Sequence, residues 1–163
     1  VDAPRLTAPR RLATVPPMER INATCVAIEG HGVLLRGPTG SGKSDLALRL
    51  LREGAHLVAD DYTEVECEGD RLIAHAPATI AGMLEVRGIG ILRVKPVSPA
   101  VLVACIDLVA GRSVERMPED ETVAIGDTGR RLPLFRLAAF EASAAAKVRM
   151  VVRLCTGSLE RVS

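Results

Sequence analysis

The chain contains the run Gly37-Pro38-Thr39-Gly40-Ser41-Gly42-Lys43-Ser44, which has the G-x-x-x-x-G-K-S pattern of a phosphate-binding loop. Residues 32–36 before this run are apolar and β-prone, and residues 45–52 after it are strongly helical. A strand, a glycine-rich loop and a helix in that order are the context that the motif requires. We therefore expect a site for a nucleoside triphosphate or a related polyphosphate.

Each part of the loop has its own task in phosphate binding. The glycines let backbone N–H groups approach phosphate oxygens closely, and the helix N-terminus adds unpaired N–H groups and the positive end of a dipole. Lys43 is expected to reach the β- and γ-phosphates, and the Ser44 hydroxyl to bind Mg²⁺. The candidate nucleotide-binding residues are Gly37, Thr39, Gly40, Ser41, Gly42, Lys43 and Ser44.

The composition predicts one compact domain with an aliphatic core. Of 163 residues, 48% are hydrophobic but only 2% are aromatic, with no Trp, one Tyr and two Phe. So few aromatic residues argue against a stacking platform for single-stranded nucleic acid. The net charge of +1 creates no strong field towards nucleic acid or a membrane surface, so neither is expected as a partner.

The termini and the cysteines set expectations about organisation and location. Residues 1–17 are rich in proline and arginine and lack apolar periodicity, so we expect a flexible arm there and a single domain at residues 18–163. The longest apolar stretch, residues 100–110, is interrupted by Asp107 and is too short to span a bilayer. The four cysteines contain no C-x-x-C pair and are typical of buried thiols in a reducing cytoplasm.

Strand signals outnumber helix signals along the chain. The strands are predicted at residues 21–28, 33–36, 56–59, 62–68, 71–75, 101–109, 122–125 and 132–137, and the helices at residues 45–52, 77–84 and 140–154. The first two strands flank a turn with two glycines, which predicts a β-hairpin. Because this order departs from regular βαβ alternation, the expected fold class is α/β with a mixed sheet.

Acidic residues follow the loop at two further places. Asp60 and Asp61 end a short apolar strand, where phosphate-loop proteins need a carboxylate for the metal. Successive residues of an extended strand point to opposite sides, so one carboxylate can face Mg²⁺ and the other the substrate. Glu85 and Arg87 share a face if extended, which suits a further metal ligand beside a guanidinium that binds phosphate.

Together, the segments G-P-T-G-S-G-K-S, L-V-A-D-D and L-E-V-R-G-I-G resemble the C-terminal catalytic domain of the HPr kinase/phosphorylase family over residues 20–95. The resemblance implies a fold akin to phosphoenolpyruvate carboxykinase, in the short form found in α-proteobacteria. It implies an ATP- and Mg²⁺-dependent protein-serine kinase acting on HPr, the phosphocarrier of the bacterial sugar phosphotransferase system. It also implies the reverse reaction, in which phosphate removes the seryl phosphate as pyrophosphate, and a cytoplasmic homo-oligomer, usually a hexamer.

Roles for individual residues follow from the same resemblance. It implies Asp60 as the acid/base, Asp61 and Glu85 with Ser44 on the Mg²⁺ side, and Arg87 as a catalytic phosphate contact.

One position departs from the family pattern. The strand before the hairpin usually carries a histidine, where this chain has Asn22, which can form hydrogen bonds but cannot titrate. Two alternatives to an HPr kinase/phosphorylase stay open: a small-molecule kinase, which would have the same loop, and a nucleotide-binding regulator, whose impaired catalysis Asn22 would fit.

Overall fold

The computed structural model describes residues 18–162, so the predicted N-terminal arm at residues 1–17 lies outside the described residues. The strands are β1 (Glu19–Asn22), β2 (Thr24–Ile28), β3 (His31–Arg36), β4 (His56–Ala59), β5 (Tyr62–Glu68), β6 (Arg71–His75), β7 (Met83–Val86), β8 (Gly90–Arg93), β9 (Ala100–Leu108), β10 (Thr122–Ala124) and β11 (Arg131–Leu137). The helices are α1 (Lys43–Arg52) and α2 (Ala144–Cys155), and a short 3₁₀ turn covers Gly111–Ser113.

Nine strands form one mixed sheet, which confirms the predicted fold class. The strand order is β1-β5-β6-β9-β3-β2-β4, with β11 also on β9 and β10 on β11. The pairs β3–β9 and β9–β11 are parallel, and the other pairs are antiparallel. Strand β3, which leads into the glycine loop, therefore lies in the interior of the sheet between β9 and β2.

Residues alternate between the two faces of the sheet, and each face carries an apolar cluster. Val33 and Leu35 pack with α1 and α2 on one face, whereas Leu34 points into the cluster on the other. The buried hydrophobic residues of the described chain are aliphatic or cysteine, as the composition predicts. Burial raises the pKa of the Cys105 thiol to about 12 and raises that of Cys25 as well, so both stay protonated at neutral pH.

Strands β7 and β8 form a separate two-stranded sheet next to α1. The predicted helix at residues 77–84 is wrong at this point. Two successive turns replace it, with N–H bonds from Ile80 to Pro77 and from Met83 to Ile80. Gly82 then adopts φ 73°, and its missing Cβ leaves room for the carbonyl oxygen of Val94. The chain needs these turns to bring β7 into register with β8.

The predicted strand at residues 21–28 and the predicted helix at residues 140–154 also need correction. The strand divides at Ala23, because β1 pairs with β5 while β2 pairs with β3 and β4. The last helix begins at Ala144, after a turn that contains Phe140. No helix in the described part of the chain is long and apolar enough to cross a membrane.

Candidate active site

The glycine-rich loop connects the carboxyl end of β3 to the first turn of α1. Gly40 and Gly42 adopt φ values of 84° and 98°, in the left-handed region that glycine occupies without steric cost. A Cβ atom on Gly42 would lie 2.7 Å from the Cβ of Ala139, so this position also requires close approach of two chain segments. The loop therefore presents backbone N–H groups at a helix N-terminus, the arrangement that binds phosphate.

Gly37 and Ser41 form the underside of the loop and do not line the cavity above it. A Cβ atom on Gly37 would lie 2.4 Å from the Ser41 Oγ, which leaves no room for any other residue without displacing Ser41. The N–H of Ser41 donates to the carbonyl of Pro38 at 3.0 Å and closes the turn. These two sequence-predicted residues therefore shape the loop from below.

Lys43 opens α1 and is only 8% exposed. Its Nζ donates to the carbonyl oxygen of Gly37, across the loop, and lies 3.9 Å from an Oδ atom of Asp61. The ammonium is thus held over the loop rather than in bulk solvent. It lies near the position that the terminal phosphates of a bound nucleotide would occupy.

Asp60 is the most connected side chain of the site. It is 8% exposed and follows the last residue of β4. Its Oδ1 accepts hydrogen bonds from the Ser44 hydroxyl at 2.9 Å and the Thr24 hydroxyl at 3.1 Å. Its Oδ2 accepts the N–H of Glu85 at 3.1 Å. A buried carboxylate needs such partners, and these come from α1, β2 and β7.

Asp61 has a different environment. Its φ of 66° is one that few non-glycine residues adopt, although Asp does so more readily than most. The Thr24 Oγ1 accepts its N–H at 3.0 Å, and its side chain remains 58% exposed. One threonine hydroxyl therefore orients both neighbouring aspartates, and they face different surroundings.

A cavity of about 390 Å³ joins most of the predicted site residues. It is lined by Thr39, Gly40, Gly42, Lys43, Ser44, Asp60, Asp61, Glu85 and Arg87, together with Pro38, Asp45, Leu48, Val86 and Phe140. Glu85 belongs to β7 and Arg87 to the turn that follows it. Asn22, like Gly37 and Ser41, does not line this cavity; it is exposed at the end of β1, opposite Tyr62.

A larger open cleft of about 1150 Å³ lies elsewhere, between β11, α2 and residues 113–122. Four of its charged groups form two pairs: Glu121 accepts two hydrogen bonds from Arg136, and Asp120 pairs with Arg161. The hydrogen bonds from Arg136 lower the pKa of Glu121. No residue of the glycine-rich loop lines this cleft, so the smaller cavity is the better candidate.

The structure adds two residues that the sequence analysis did not single out. Thr24 carries a hydroxyl in an otherwise apolar strand, which indicates that it has a polar partner. That partner, Asp60, lies 36 residues away, so the sequence does not identify it. Phe140 lies in a segment that the sequence predicts as helical, and only the fold brings its ring to the loop.

Among the described residues, no group of three or more His, Cys, Asp or Glu side chains forms a metal site of its own. Mg²⁺ usually binds one or two carboxylates and completes its shell with water and substrate phosphate. The oxygens of Ser44 and Asp60 at the loop fit that donor set.

Comparisons with known proteins find a matching family model and several relatives. The family model described as HPr Serine kinase C-terminal domain matches residues 13–103. The HPr kinase/phosphorylase of Exiguobacterium is 47% identical over 79 residues, which are 48% of this chain and 25% of that protein. The HPr kinase/phosphorylase of Bacillus subtilis is 38% identical over 124 residues, 69% of this chain and 40% of that protein.

A solved structure is similar over most of the chain. It is described as the Hpr(Ser) kinase/phosphatase from Coxiella burnetii, with a TM-score of 0.75 and 25% identity, over 86% of this chain and 97% of that one. The chain thus spans between 25% and 40% of the length of the two curated relatives described above.

The Thr24 hydroxyl can be tested with a matched pair of variants. Thr24→Val removes the donor to Asp60 and the acceptor for the Asp61 N–H, so we expect a loss of about 1–3 kcal/mol of unfolding free energy and weaker binding of Mg²⁺–nucleotide. Thr63→Val is the control, because Thr63 is also fully buried but donates to the carbonyl of Ala23 instead. Urea unfolding and calorimetric titration measure the two effects. Equal nucleotide affinity in both variants would show that Thr24 serves stability alone.

Proposed function

Because this chain belongs to the HPr serine kinase C-terminal domain family, we propose that it transfers the γ-phosphoryl group of ATP to a seryl hydroxyl of HPr. We propose also that it catalyses the reverse phosphorolysis, in which inorganic phosphate removes the seryl phosphate and leaves as pyrophosphate. The observation that carries this proposal is the position of two aspartates with different environments at the mouth of one phosphate-binding loop.

Ser44 and Asp60 are the residues that would hold Mg²⁺, with Glu85 able to contribute from the same cavity. When bound, the ion would neutralise negative charge that develops on the phosphates during transfer. The Lys43 ammonium and the loop N–H groups would hold the triphosphate, and the Arg87 guanidinium at the cavity edge could bind a phosphate oxygen.

The contacts favour exchanging the roles that the resemblance implies for Asp60 and Asp61. A general base must offer a free lone pair to the incoming hydroxyl. Asp60 is buried, and both of its oxygens already accept hydrogen bonds, one of them from the expected metal ligand Ser44. Asp61 is exposed and lies beside Lys43, at the terminal-phosphate end of the loop. We therefore propose Asp61 as the acid/base and Asp60 as the metal-side carboxylate.

In the forward direction the seryl oxygen forms a bond to the γ-phosphorus, and the bond from that phosphorus to the β–γ bridging oxygen breaks. The hydroxyl proton passes to the Asp61 carboxylate, and ADP leaves with the electron pair of the broken bond. In the reverse direction inorganic phosphate attacks the seryl phosphorus, pyrophosphate forms, and protonated Asp61 returns its proton to the departing seryl oxygen.

Neutral substitutions of the two aspartates should affect different properties, the transfer rate for one and Mg²⁺-dependent nucleotide binding for the other. Asp61→Asn should lower transfer by about 10²-fold or more, the scale of general acid–base catalysis, while Mg²⁺–ATP still binds. Asp60→Asn should instead raise the Mg²⁺ concentration needed for nucleotide binding. Calorimetric titration of ATP at several Mg²⁺ concentrations, together with single-turnover rates, separates the outcomes. If Asp60→Asn keeps its Mg²⁺ dependence and loses only the transfer step, the assignment implied by the resemblance is right.

The reaction itself is tested by incubating the chain with HPr, ATP and Mg²⁺. Intact-mass analysis should show one added phosphate on HPr, and peptide sequencing should place it on serine. Addition of inorganic phosphate without ATP should then release pyrophosphate. Lys43→Ala, which removes the ammonium over the loop, is the inactive control. Phosphorylation of a metabolite in place of HPr would favour the small-molecule kinase, and ATP binding without any transfer would favour the regulator.

Asn22 occupies the position of the family histidine. It is paired across β1 and β5 with Tyr62, the residue that follows Asp61. An imidazole at this position titrates around its reference pKa of about 6.5 and could alter the proton balance of Asp61. We predict that Asn22→His leaves nucleotide binding intact, raises the transfer rate and introduces a pH dependence between about pH 6 and 8. Rates measured in both directions across this range provide the check. Superimposable profiles for the two proteins would leave position 22 with a structural role.

The expected assembly and location remain predictions from the resemblance. Ile89 and Ile91 on the β7–β8 hairpin are 72% and 71% exposed, and exposed apolar residues of this kind support a homo-oligomer such as the hexamer. A cytoplasmic location follows from the proposed partner, HPr, and from ATP as the phosphate donor.

A further inference from the structure

An exposed aromatic ring lies against the phosphate-binding loop. Phe140 is 72% exposed, although the whole chain has only two Phe, one Tyr and no Trp. Two of its ring carbons lie 3.1 and 3.3 Å from the position that a Cβ atom on Gly42 would occupy. Phe140 also lines the same cavity as Lys43 and Ser44. The ring is therefore placed to contact a ligand bound in this cavity.

The segment that carries the ring is fixed to α1. The guanidinium of Arg49 donates to the carbonyl of Ala139 and, at 3.2 Å, to that of Glu141, the residues on either side of Phe140. Asp45 in turn pairs with Arg49 at 3.0 Å, one helical turn earlier. Phe140 is therefore exposed but anchored, and a surface that is already ordered costs little entropy when a ligand binds it.

Two different sides of α1 face the phosphate end and the nucleoside end of the site. Ser44 faces Asp60, whereas Arg49 reaches the segment around Phe140. Residues 44 and 49 are five positions apart and so lie on different sides of a helix with 3.6 residues per turn. The terminal phosphates belong on the flank of Ser44 and Asp60, because Lys43 and Ser44 serve the β- and γ-phosphates. The nucleoside end of the ligand is then directed towards Phe140.

We propose that Phe140 is the surface on which the base of the bound nucleotide stacks. The proposal rests on the proposed function, since it requires that the loop bind a nucleoside triphosphate, and it assigns the nucleoside end of that same site. Every base offers a π face, so stacking adds affinity with little discrimination among bases. Phe140 would therefore increase the affinity for the nucleotide through its base, whereas the loop would bind the phosphates.

The absence of tryptophan from the sequence gives a direct test. Phe140→Trp creates a single indole fluorophore at the proposed contact. Mg²⁺–ATP and Mg²⁺–ADP should quench its emission strongly, while inorganic tripolyphosphate, which fills the loop without a base, should leave it almost unchanged. Equal changes with ATP and tripolyphosphate would mean that the ring reports on loop occupancy, and the stacking proposal would be wrong.

Affinity measurements on Phe140→Ala supply an independent readout. Loss of stacking should weaken ATP binding by about tenfold, within the range for one base on one aromatic ring, and leave tripolyphosphate binding unchanged. Met150→Ala is the matched control, since Met150 is a 62% exposed apolar residue on α2 that does not line the cavity. Phe140→Tyr should retain the wild-type affinity.

Three outcomes would overturn the assignment. If Phe140→Ala weakens both ligands equally, the ring supports only the shape of the loop. If neither affinity changes, the ring takes no part in binding. If ATP binding is unchanged while the KM for HPr rises, Phe140 belongs to the surface for the protein substrate. Failure of the wild-type chain to bind ATP at all would contradict the proposed function instead, so the two failures are distinguishable.

Discussion

The site depends on the hydrogen bonds that the buried Asp60 carboxylate accepts. It accepts hydrogen bonds from Ser44 in α1, Thr24 in β2 and the N–H of Glu85 in β7. These donors are separated from Asp60 by 16, 36 and 25 residues, so a single buried side chain fixes three distant parts of the fold. Removing any one donor leaves a buried anion less satisfied, which is costly in a low-dielectric interior.

This arrangement also explains why a small separate sheet belongs to the site. Within residues 18–162, strands β7 and β8 pair only with each other, yet Glu85 and Arg87 line the phosphate cavity. The bond from the Glu85 N–H to Asp60 ties that hairpin to the main sheet at the place where its side chains are needed. On the opposite flank of α1, Arg49 fixes the turn that carries Phe140. Contacts on two sides therefore fix helix α1, and they also fix the position of the loop that precedes it.

The sequence predicts the parts of this site that depend on local chemistry. The glycine-rich loop, its flanking strand and helix, and the two aspartates after an apolar strand all follow from patterns within residues 32–61. The mixed sheet follows from the excess of strand signals over helix signals. The aliphatic core follows from a composition that is 48% hydrophobic and 2% aromatic.

What the sequence could not predict depends on contacts between distant residues. The division of residues 21–28 at Ala23 arises because β1 and β2 have different pairing partners. Residues 77–84 have helical propensity, but Gly82 must fit against Val94 so that β7 can pair with β8. The metal-side role that we propose for Asp60 rests on its burial and hydrogen bonds, which differ from those of Asp61. Alternation along a strand leaves both assignments open.

We propose an arrangement in which Asp60 and Ser44 form the metal side of the site and Asp61 is left free to accept the proton. A crystal structure of the chain with Mg²⁺ and a non-hydrolysable ATP analogue tests it most directly. We expect Mg²⁺ at about 2.1 Å from the Ser44 Oγ, with Asp60 bound to the ion directly or through one water. The Asp61 carboxylate should face the γ-phosphate without binding the metal. Direct coordination of the ion by Asp61, with Asp60 turned towards the γ-phosphate, would contradict it.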